Sequence, residues 1–431
     1  MSGKRRTIKV DYLTRVEGEG GLTVRLRDGH VESVQLAIFE PLRFFAALLR
    51  GRAYGDASDI TARICGICPV AHQMSAVHAV EDAFGVVVDG PLRALRRLLY
   101  CGEWIESHAL HIHLLHAPDF LGFPDGVTMA RAQDDAVRRG LEIQKAGNAP
   151  LRLLGGREIH PINVRVGGFY KLPDRRELAR VGDDLRRARD GAVATVRWVA
   201  GFDFPELEHD CEFVALRHAD EYPFNEGRIV SSRGLDVSAR EYDAHFVEEH
   251  VAHSTALHAR RADGGTYLVG PLARWALNAD RISPLARAAA RDAGLPDVCR
   301  NPFRSVIVRA VELVFACDEA LAIIDAYEPP PRPTVPVTPR RATGYAATEA
   351  PRGLLYHRYA IDADGTIRDA CIVPPTSQNQ RTIEEDLERL LPTALALPRP
   401  ELVGRCEHAI RNHDPCISCA THFLTLRVEG E

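Results

Sequence analysis

The sequence lacks the hydrophobic segments that send a chain into a membrane or out of the cell. No run of about 18 uncharged apolar residues occurs, so a membrane-spanning helix is not expected. The chain begins Met-Ser-Gly-Lys-Arg-Arg, which is basic, but a polar strand pattern follows where a signal peptide has its apolar region. We therefore expect a cytoplasmic protein.

A surplus of positive charge is also missing. The chain has 54 Lys and Arg against 59 Asp and Glu, a formal net charge of -5, and a pI near 6.4. This balance argues against nucleic acid or an anionic membrane as the main partner. No dinucleotide-binding fingerprint is present, because the glycine-rich bend at 155–161 lacks the strand–loop–helix context of a phosphate-binding loop.

Ten cysteines are present without an export signal, so free thiols or metal ligands are expected rather than disulfides. Six of them stand alone in mostly apolar or helical surroundings, where cysteine behaves as a small buried hydrophobic residue. These six are Cys101, Cys211, Cys299, Cys317, Cys371 and Cys406. The other four form two C-x-x-C pairs near opposite ends of the chain.

The paired cysteines have the pattern of metal ligands. A histidine follows each pair: His72 follows Cys65 and Cys68, and His422 follows Cys416 and Cys419. Two such turns can aim four thiolates at one site, and thiolate-rich sites suit zinc, iron, nickel or Cu(I). Zinc-ribbon pairs lie about 15–20 residues apart, whereas about 350 residues separate these pairs. The spacing favours a buried catalytic metal centre, with structural zinc as the alternative.

Each pair also lies next to a proline that suits the first position of a helix. Pro69 places Cys68 at an N-cap, and Pro415 predicts a helix that is capped by Asp414 and carries Cys416 in its first turn. Free N–H groups and the helix dipole favour thiolate over thiol at such positions.

Apolar periodicity predicts a mainly α (α+β) fold, with a bundle of long helices as its core and small β-hairpins at its periphery. Helices are predicted at 40–52, 69–84, 91–116, 174–199, 239–262, 303–327 and 382–392. Alternating apolar residues around Asp-Gly turns predict hairpins at 7–39 and 354–373. The ends of the second hairpin, Pro351-Arg352 and Val373-Pro374, are expected side by side in one pocket. We expect one domain over residues 1–431.

The two cysteine motifs read Arg63-x-Cys65-Gly66-x-Cys68-x-x-x-His72 and Asp414-Pro415-Cys416-x-x-Cys419-x-x-His422. Shorter segments accompany them: Arg15-Val16-Glu17-Gly18, Gly167-Gly168, 269–274, 349–353 and Val373-Pro374. Together, and in this order, they resemble the large subunit of nickel–iron hydrogenases. A related component of complex I lacks the four metal cysteines, so their presence excludes that branch.

The resemblance implies a nickel–iron centre that cleaves H2 heterolytically and reversibly. Cys65 and Cys416 would be terminal nickel ligands, and Cys68 and Cys419 would bridge nickel and iron. The iron would carry carbon monoxide and cyanide ligands, which this chain does not supply. His422 would help to hold a Mg or Fe ion nearby.

The resemblance also implies roles for residues around the metals. Glu17 would exchange protons with Cys416, and Arg352 would lie over the open side of the metals, where its five donors suit cyanide nitrogen. Asp414 would form a wall of the pocket, and His72 would hydrogen-bond a bridging sulfur. The pocket would be completed by Pro351, Val373, Pro374 and Thr376.

Three positions depart from the family pattern. Ala46 stands where a glutamate usually helps to bind the Mg or Fe ion, and the nearest acid is Glu40. Ser107 stands where many members have an aspartate in the active site. Pro375 stands where a hydroxyl residue supports a cyanide ligand, with Thr376 beside it.

The chain has no spare cysteine cluster for iron–sulfur centres, so a separate small iron–sulfur subunit is expected. Glu19 and residues 100–108 resemble the soluble bidirectional NADP-linked group, which implies diaphorase subunits carrying flavin and NAD(P) sites. A coenzyme F420-linked or other-acceptor hydrogenase is the enzymatic alternative, and a zinc scaffold is the non-enzymatic one. Residues 423–431 resemble the extension that a nickel-dependent maturation protease removes, so cleavage after His422 is expected.

Overall fold

The computed structural model describes residues 5–41 and 44–421. The helices of this part of the chain are α1 (Phe45–Leu49), α2 (Ala57–Thr61), α3 (Pro69–Phe84), α4 (Gly90–Leu110), α5 (Ala117–Leu121), α6 (Gly126–Ala130), α7 (Asp134–Gly155), α8 (Arg175–Ala200), α9 (Tyr242–His245), α10 (Pro271–Asn278), α11 (Pro284–Asp292), α12 (Ser305–Asp325), α13 (Pro375–Ala394) and α14 (Arg399–Arg411). None of them combines the length and apolar character needed to cross a bilayer.

The strands form small separate sheets. They are β1 (Arg5–Val10), β2 (Gly20–Arg27), β3 (His30–Ile38), β4 (Val164–Arg165), β5 (Gly168–Phe169), β6 (Glu212–Arg217), β7 (Arg228–Ser231), β8 (Asp236–Val237), β9 (Phe246–Glu249), β10 (His258–Arg261), β11 (Tyr267–Leu268), β12 (Ala342–Ala350), β13 (Gly353–Ile361) and β14 (Ile367–Val373). The sheet orders are β1-β2-β3, β12-β13-β14, β11-β6-β7-β8, β10-β9 and β4-β5. All neighbouring strands are antiparallel except β11 and β6.

The long helices α4, α7, α8 and α12 pack together as the core. Apolar residues at helical spacing, such as Leu95 and Leu99 of α4, are completely buried there. Helices α4 and α7 approach so closely that a Cβ on Gly147 would lie 2.7 Å from the backbone nitrogen of Glu106. A helical bundle with small sheets is the predicted architecture, and it is confirmed.

Helix α3 joins the bundle to the β12-β13-β14 sheet. The backbone of Gly344 in β12 lies against Ala79 and Ala83 of α3, so a side chain at position 344 has no space. The hydroxyls of Ser75 and Thr348 are 2.7 Å apart across the same contact. This packing brings the start of α3, next to Cys68, close to the turn between β12 and β13.

The predicted helix at 239–262 is wrong. A 3-10 turn and the short α9 lead into β9 and β10, which pair in antiparallel register. Aromatic burial favours this outcome, because Phe246 at the start of β9 packs on Tyr267 of β11 with ring centroids 5.0 Å apart. An ion pair between Arg260 and Glu249, 2.8 Å across the two strands, adds to the pairing.

Other predicted elements are present, but their boundaries differ from those expected from the sequence. The helix expected at 91–116 ends at Leu110 and continues as a π-helix over His111–His116. The helix expected at 40–52 is reduced to α1, and that expected at 382–392 is the longer α13. Both hairpins are present, with Asp28 (φ 52°) and Gly29 (φ 83°) forming the first turn. The second hairpin gains β12 as a third strand.

Candidate metal centre

Four sulfur atoms from the two ends of the chain meet in the core. The Sγ atoms of Cys65, Cys68, Cys416 and Cys419 all lie within 4.8 Å of one another. Cys65 Sγ is 3.3 Å from Cys416 Sγ, and Cys68 Sγ is 3.5 Å from Cys419 Sγ. All four are free thiols and at most 3% exposed. The two C-x-x-C turns therefore form one buried four-sulfur site.

The environment of these thiols suits a soft cation. Burial raises the pKa of the Cys416 thiol well above its usual value. Hydrogen bonds from the other three thiols lower the pKa of Cys65, although burial alone would raise it. The nearby charge of Arg352 also lowers this pKa. One thiolate is thus stabilised within the cluster. A divalent transition metal binds deprotonated sulfur, so its binding would release the remaining protons.

The first turn is held by the start of α3. Cys68 is the N-cap of this helix and Pro69 occupies its first position, as predicted. Cys65 Sγ accepts hydrogen bonds from the backbone nitrogens of Ile67 and Cys68, at 3.3 and 3.5 Å. The buried carboxylate of Glu103 on α4 accepts the free N–H groups of Val70 and Ala71, at 2.6 and 3.1 Å.

The second turn is not the start of a helix, so the prediction that Asp414 caps one is wrong. Asp414 adopts a left-handed backbone with φ of 50°, and Cys416 instead forms a parallel bridge with Glu17. The backbone N–H of Cys416 donates to Thr376 Oγ1 at 2.9 Å. A 3-10 helix begins only at Ser418. The N–H groups expected to bind Asp414 therefore have other acceptors, Thr376 Oγ1 for Cys416 and the carbonyl oxygen of Glu17, at 2.9 Å, for Ile417.

Glu17 lies directly beside the second turn. Its Oε2 accepts hydrogen bonds from Cys416 Sγ at 3.2 Å and from the backbone nitrogen of Ser418 at 3.0 Å. Burial raises the pKa of Glu17, and the negative charge of Cys65 raises it further. A carboxyl group of this kind, within reach of a thiol, is suited to proton exchange.

Arg352 and Asp414 form the polar wall of the site. Arg352 Nε donates to the carbonyl oxygen of Asp414 at 2.7 Å, and its Nη2 donates to Asp414 Oδ1 at 3.1 Å. The remaining nitrogen, Nη1, is buried and has no hydrogen-bond partner among the described residues. Arg352 lies close enough to Cys65, Cys68 and Cys416 for their charges to raise the pKa of its guanidinium.

The other residues named from sequence are buried around this point. His72 Nε2 lies 3.5 Å from Cys419 Sγ, and Pro374 is the N-cap of α13, whose first turn contains Thr376. Pro351 and Val373 are buried, at the start of the β12–β13 turn and at the end of β14. Three further positions were named in the sequence analysis. Ser107 is buried on α4, Ala46 in α1 offers no ligand atom, and His422 lies outside the described residues.

Two comparisons with known proteins decide the family. The sequence matches the family described as nickel-dependent hydrogenase over residues 43–137 and 236–422. It is 32% identical over 425 residues to the alpha chain of sulfhydrogenase 1 from Pyrococcus furiosus, covering 97% of this chain and 98% of that protein. The chain belongs to the nickel-dependent hydrogenase family.

Other hydrogenases show the same relationship. One chain of the F420-non-reducing hydrogenase from Methanothermobacter marburgensis is 30% identical over 458 residues, covering 97% of this protein and 95% of that one. The crystal structure of an NAD+-reducing [NiFe]-hydrogenase superimposes with a TM-score of 0.88 at 26% identity, covering 97% of this chain and 100% of that one. This chain is therefore the catalytic large subunit of a nickel–iron hydrogenase, an oxidoreductase acting on H2.

The sequence analysis did not predict the buried ionic network that Arg274 forms in this hydrogenase. Arg274 lies over the ring of Trp104, with Cζ 4.2 Å from the ring centroid. It donates to both oxygens of Glu312 at 2.7 and 2.8 Å, and to Glu349 at 3.0 Å. Its Nη atoms also donate to the carbonyl oxygens of residues 350 and 351, each at 2.9 Å. This network fixes the backbone immediately before Arg352.

A sequence signal for this network exists. Glu312 interrupts a helix that is otherwise largely apolar, and a charged residue in such a position must be paired when it is buried. Burial raises the pKa of Glu312, but the charge of Arg274 outweighs this and lowers it to about 2. The partner cannot be identified from sequence, because it lies on a different helix.

A second unpredicted bridge ties the C-terminal motif to α13. Asp386 accepts hydrogen bonds from His209 Nδ1 at 2.6 Å and from His413 Nε2 at 2.8 Å. His413 directly precedes Asp414, so this bridge anchors the entry to the second cysteine turn. Burial lowers the pKa of His209, but hydrogen bonds to Asp386 and Glu385 outweigh it and raise that pKa to about 9.

The His209 bridge predicts a pH-dependent stability. A histidine with a raised pKa stabilises the folded state fully below its ordinary pKa of 6.5, and this stabilisation is lost as pH rises through about 9. We expect the purified hydrogenase to lose about 1–2 kcal/mol over this window, allowing for solvent near the surface. Thermal unfolding midpoints across the window measure the loss.

His209→Gln should flatten this pH dependence, while His30→Gln, at an exposed site, should retain it. An unchanged pH profile in the His209 variant would contradict the assignment.

Proposed function

We propose that the four-sulfur site holds a nickel–iron centre whose electrons leave through a separate small iron–sulfur subunit, from which they reach NAD(P). The observation that carries this proposal is the meeting of Cys65, Cys68, Cys416 and Cys419 within 4.8 Å in the core. The donor set fits the metals, because four buried thiolates suit nickel and iron and do not suit Mg or Ca.

In this proposal Cys65 and Cys416 would hold nickel, and Cys68 and Cys419 would be ligands of both nickel and iron. The 3.3 Å separation of the first two sulfurs and the 3.5 Å separation of the second two allow each pair to share a metal ion. When bound, the centre supplies reversible heterolytic cleavage of H2.

The polar groups of the chain take the remaining roles. Arg352 Nη1, which has no partner among the described residues, would donate to a cyanide ligand of the iron. Glu17 would exchange protons with Cys416 across 3.2 Å. Asp414 holds the guanidinium of Arg352 in place, and His72 orients the sulfur of Cys419.

Electron transfer requires a partner in this proposal. Within the described part of the chain, the six remaining cysteines form no group with one another that could hold an iron–sulfur cluster. A small iron–sulfur subunit would therefore accept the electrons, and diaphorase subunits would carry flavin and the NAD(P) site. We place the complex in the cytoplasm. The TM-score of 0.88 to an NAD+-reducing [NiFe]-hydrogenase supports a nicotinamide acceptor.

A Mg or Fe ion beside His422 belongs to the same proposal, but the residues present fit it poorly. Ala46 provides no carboxylate at the position where the family usually has a ligand. The carboxylate of Glu40, the nearest acid, accepts a hydrogen bond from the Ser418 hydroxyl at 2.9 Å. No step of the reaction is assigned to that ion.

The metal assignment predicts the result of removing a terminal sulfur. Cys416→Ser should lose the bound nickel and abolish H2 uptake, because a serine hydroxyl is a hard and weakly acidic ligand. Metal analysis and an H2-uptake assay of the purified complex measure both effects, with infrared bands of metal-bound carbon monoxide and cyanide as the signature of the centre.

Cys371→Ser, at a half-buried cysteine far from the cluster in sequence, is the matched control and should retain both nickel and activity. Zinc alone in the wild-type protein would support the structural scaffold instead. Retained H2 uptake in Cys416→Ser would contradict the ligand role.

The acceptor assignment predicts that the intact complex reduces NADP+ or NAD+ with H2. Its rate with coenzyme F420 should be at background level, because no F420 site is part of the proposed assembly. Parallel assays with the three acceptors measure this preference, and rapid reduction of F420 alone would favour the alternative hydrogenase class.

We also propose that a maturation protease removes residues 423–431. The active enzyme should then have the mass of a chain ending at His422, because the extension is removed once nickel is inserted. Intact-mass spectrometry of nickel-containing enzyme measures this, and an active chain that still includes Glu431 would contradict the proposal.

A further inference from the structure

Two histidines and a buried glutamate form a second group of metal-ligand side chains, separate from the four cysteines. His253 lies in the segment between β9 and β10, His258 is the first residue of β10, and Glu384 is on α13. Each offers one ligand atom, and the three atoms all lie within 4.8 Å of one another. The two imidazole rings meet edge to face with their centroids 5.4 Å apart. The fold thus brings three ligands of suitable type to one point.

His258 has a ring nitrogen that the protein leaves without a partner. The residue is only 4% exposed, and its buried Nε2 has no hydrogen-bond partner among the residues that the structure describes. Burial lowers the pKa of His258 to about 4, so the ring is neutral at physiological pH and has a lone pair to offer. A buried polar atom without a partner costs free energy, which a bound metal ion would recover.

The carboxylate of Glu384 is oriented by hydrogen bonds and is 2% exposed. Its Oε1 accepts from the backbone nitrogen of Leu36 and from His253 Nε2, each at 2.9 Å. Its Oε2 accepts from Arg381 at 3.2 Å. Arg381 is 39% exposed and also reaches Glu388 at 3.3 Å, so its guanidinium can move away and keep a carboxylate partner. The two oxygens of Glu384 then retain lone pairs for a metal ion.

The backbone around the histidines is held in place without a metal. The backbone nitrogen of Thr255 donates to the carbonyl oxygen of Ile38 at 2.7 Å. Gln380 Nε2 donates to the carbonyl oxygen of Leu257 at 2.8 Å, and Ser254 Oγ donates to Gln380 Oε1 at 3.3 Å. The segment that carries His253 is therefore fastened to β3 on one side and to α13 on the other. Ligands on a fixed backbone bind a metal without a large ordering cost.

A similar group elsewhere in the chain lacks this character. The ligand atoms of His116, Asp119 and His408 also lie within 4.8 Å of one another. Asp119, however, accepts hydrogen bonds from Arg411 at 2.7 and 2.8 Å and from Arg15 at 2.5 Å. Two guanidinium groups already occupy its carboxylate, and their charge repels a cation. We therefore expect no metal ion there.

We propose that His253, His258 and Glu384 bind a zinc ion that fastens α13 to β10 and to the edge of β3. Imidazole and carboxylate ligands suit zinc, which binds them at about 2.0–2.2 Å, so modest side-chain movements bring all three onto one ion. The fourth position of the tetrahedron would take a water molecule beside His253, whose side chain is 22% exposed. The inference does not depend on the proposed function, because it uses none of the four cysteines.

Metal binding to the intact complex tests the site directly. We expect one zinc per chain after equilibrium dialysis against zinc. X-ray absorption at the zinc edge should show nitrogen and oxygen neighbours at about 2.0–2.2 Å and no sulfur at about 2.3 Å. His253→Ala and His258→Gln should each weaken zinc binding by about 100-fold or more, because even groups that only orient a ligand contribute 10–100-fold. His30→Gln, at an exposed site, should bind zinc as the wild type does.

Thermal unfolding gives a second readout that does not use activity. Zinc at about 100 times its dissociation constant should raise the unfolding midpoint of the wild-type chain by about 3 °C, and His258→Gln should show no such shift. Glu384→Gln keeps an acceptor for the Leu36 N–H but loses the charge, so it separates loss of the ligand from loss of that hydrogen bond. It should fold and show a smaller zinc shift than the wild type.

Three results would overturn the zinc site. The first is a wild-type complex that binds no zinc in dialysis. The second is unchanged zinc binding in both His253→Ala and His258→Gln. The third is zinc with sulfur neighbours only, because that ion would occupy the four-cysteine site.

Discussion

Four cysteine sulfurs from opposite ends of the chain must share one small volume in the core, and the rest of the structure depends on this constraint. Thiolates repel one another at such distances and are poorly solvated when buried, so the cluster does not hold itself together without a cation. The protein fixes each turn separately. Glu103 accepts the free N–H groups at the start of α3, and Thr376 accepts the N–H of Cys416. These backbone hydrogen bonds do not use the sulfur atoms, so they hold both turns whether or not the sulfurs bind a metal.

The ionic network of Arg274 has the same effect on the turn that carries Arg352. Buried ion pairs are weak sources of stability, because desolvation offsets much of their attraction. Every N–H of the guanidinium nevertheless has an acceptor in range, and two of those acceptors are the carbonyl oxygens of residues 350 and 351. An apolar replacement could fill the volume but could not hold those carbonyls. The network is therefore best understood as positioning the backbone that carries Arg352.

Sequence reasoning reached the fold class and the four clustered cysteines, since apolar periodicity and the two C-x-x-C pairs are strong local signals. It missed α7, which contains Gly140, Gly147, Gly155 and Pro150 and so has low intrinsic helix propensity. Close packing against α4 at Gly147 requires that glycine, so tertiary contact outweighs propensity. The helix expected at 239–262 failed for the related reason that aromatic burial favoured strands. Asp386 could not be singled out either, because its partners His209 and His413 lie more than 20 residues away in sequence.

The polar groups around the sulfurs are divided by their ability to release protons. Arg352 remains protonated at any physiological pH, since an arginine has a pKa above about 12, and although burial opposes it, the charge of Asp414 raises this pKa further. The Arg352–Asp414 wall can therefore orient a ligand and stabilise negative charge, but Arg352 cannot act as a proton acceptor. Glu17 has the opposite character in the proposed function, where it exchanges protons with the sulfur of Cys416, and burial, which raises its pKa, suits it to that role. Arg352, which carries the fixed charge, and Glu17, which has the proposed proton-exchange role, lie on different chain segments. A substitution of one can therefore change its role without removing the other.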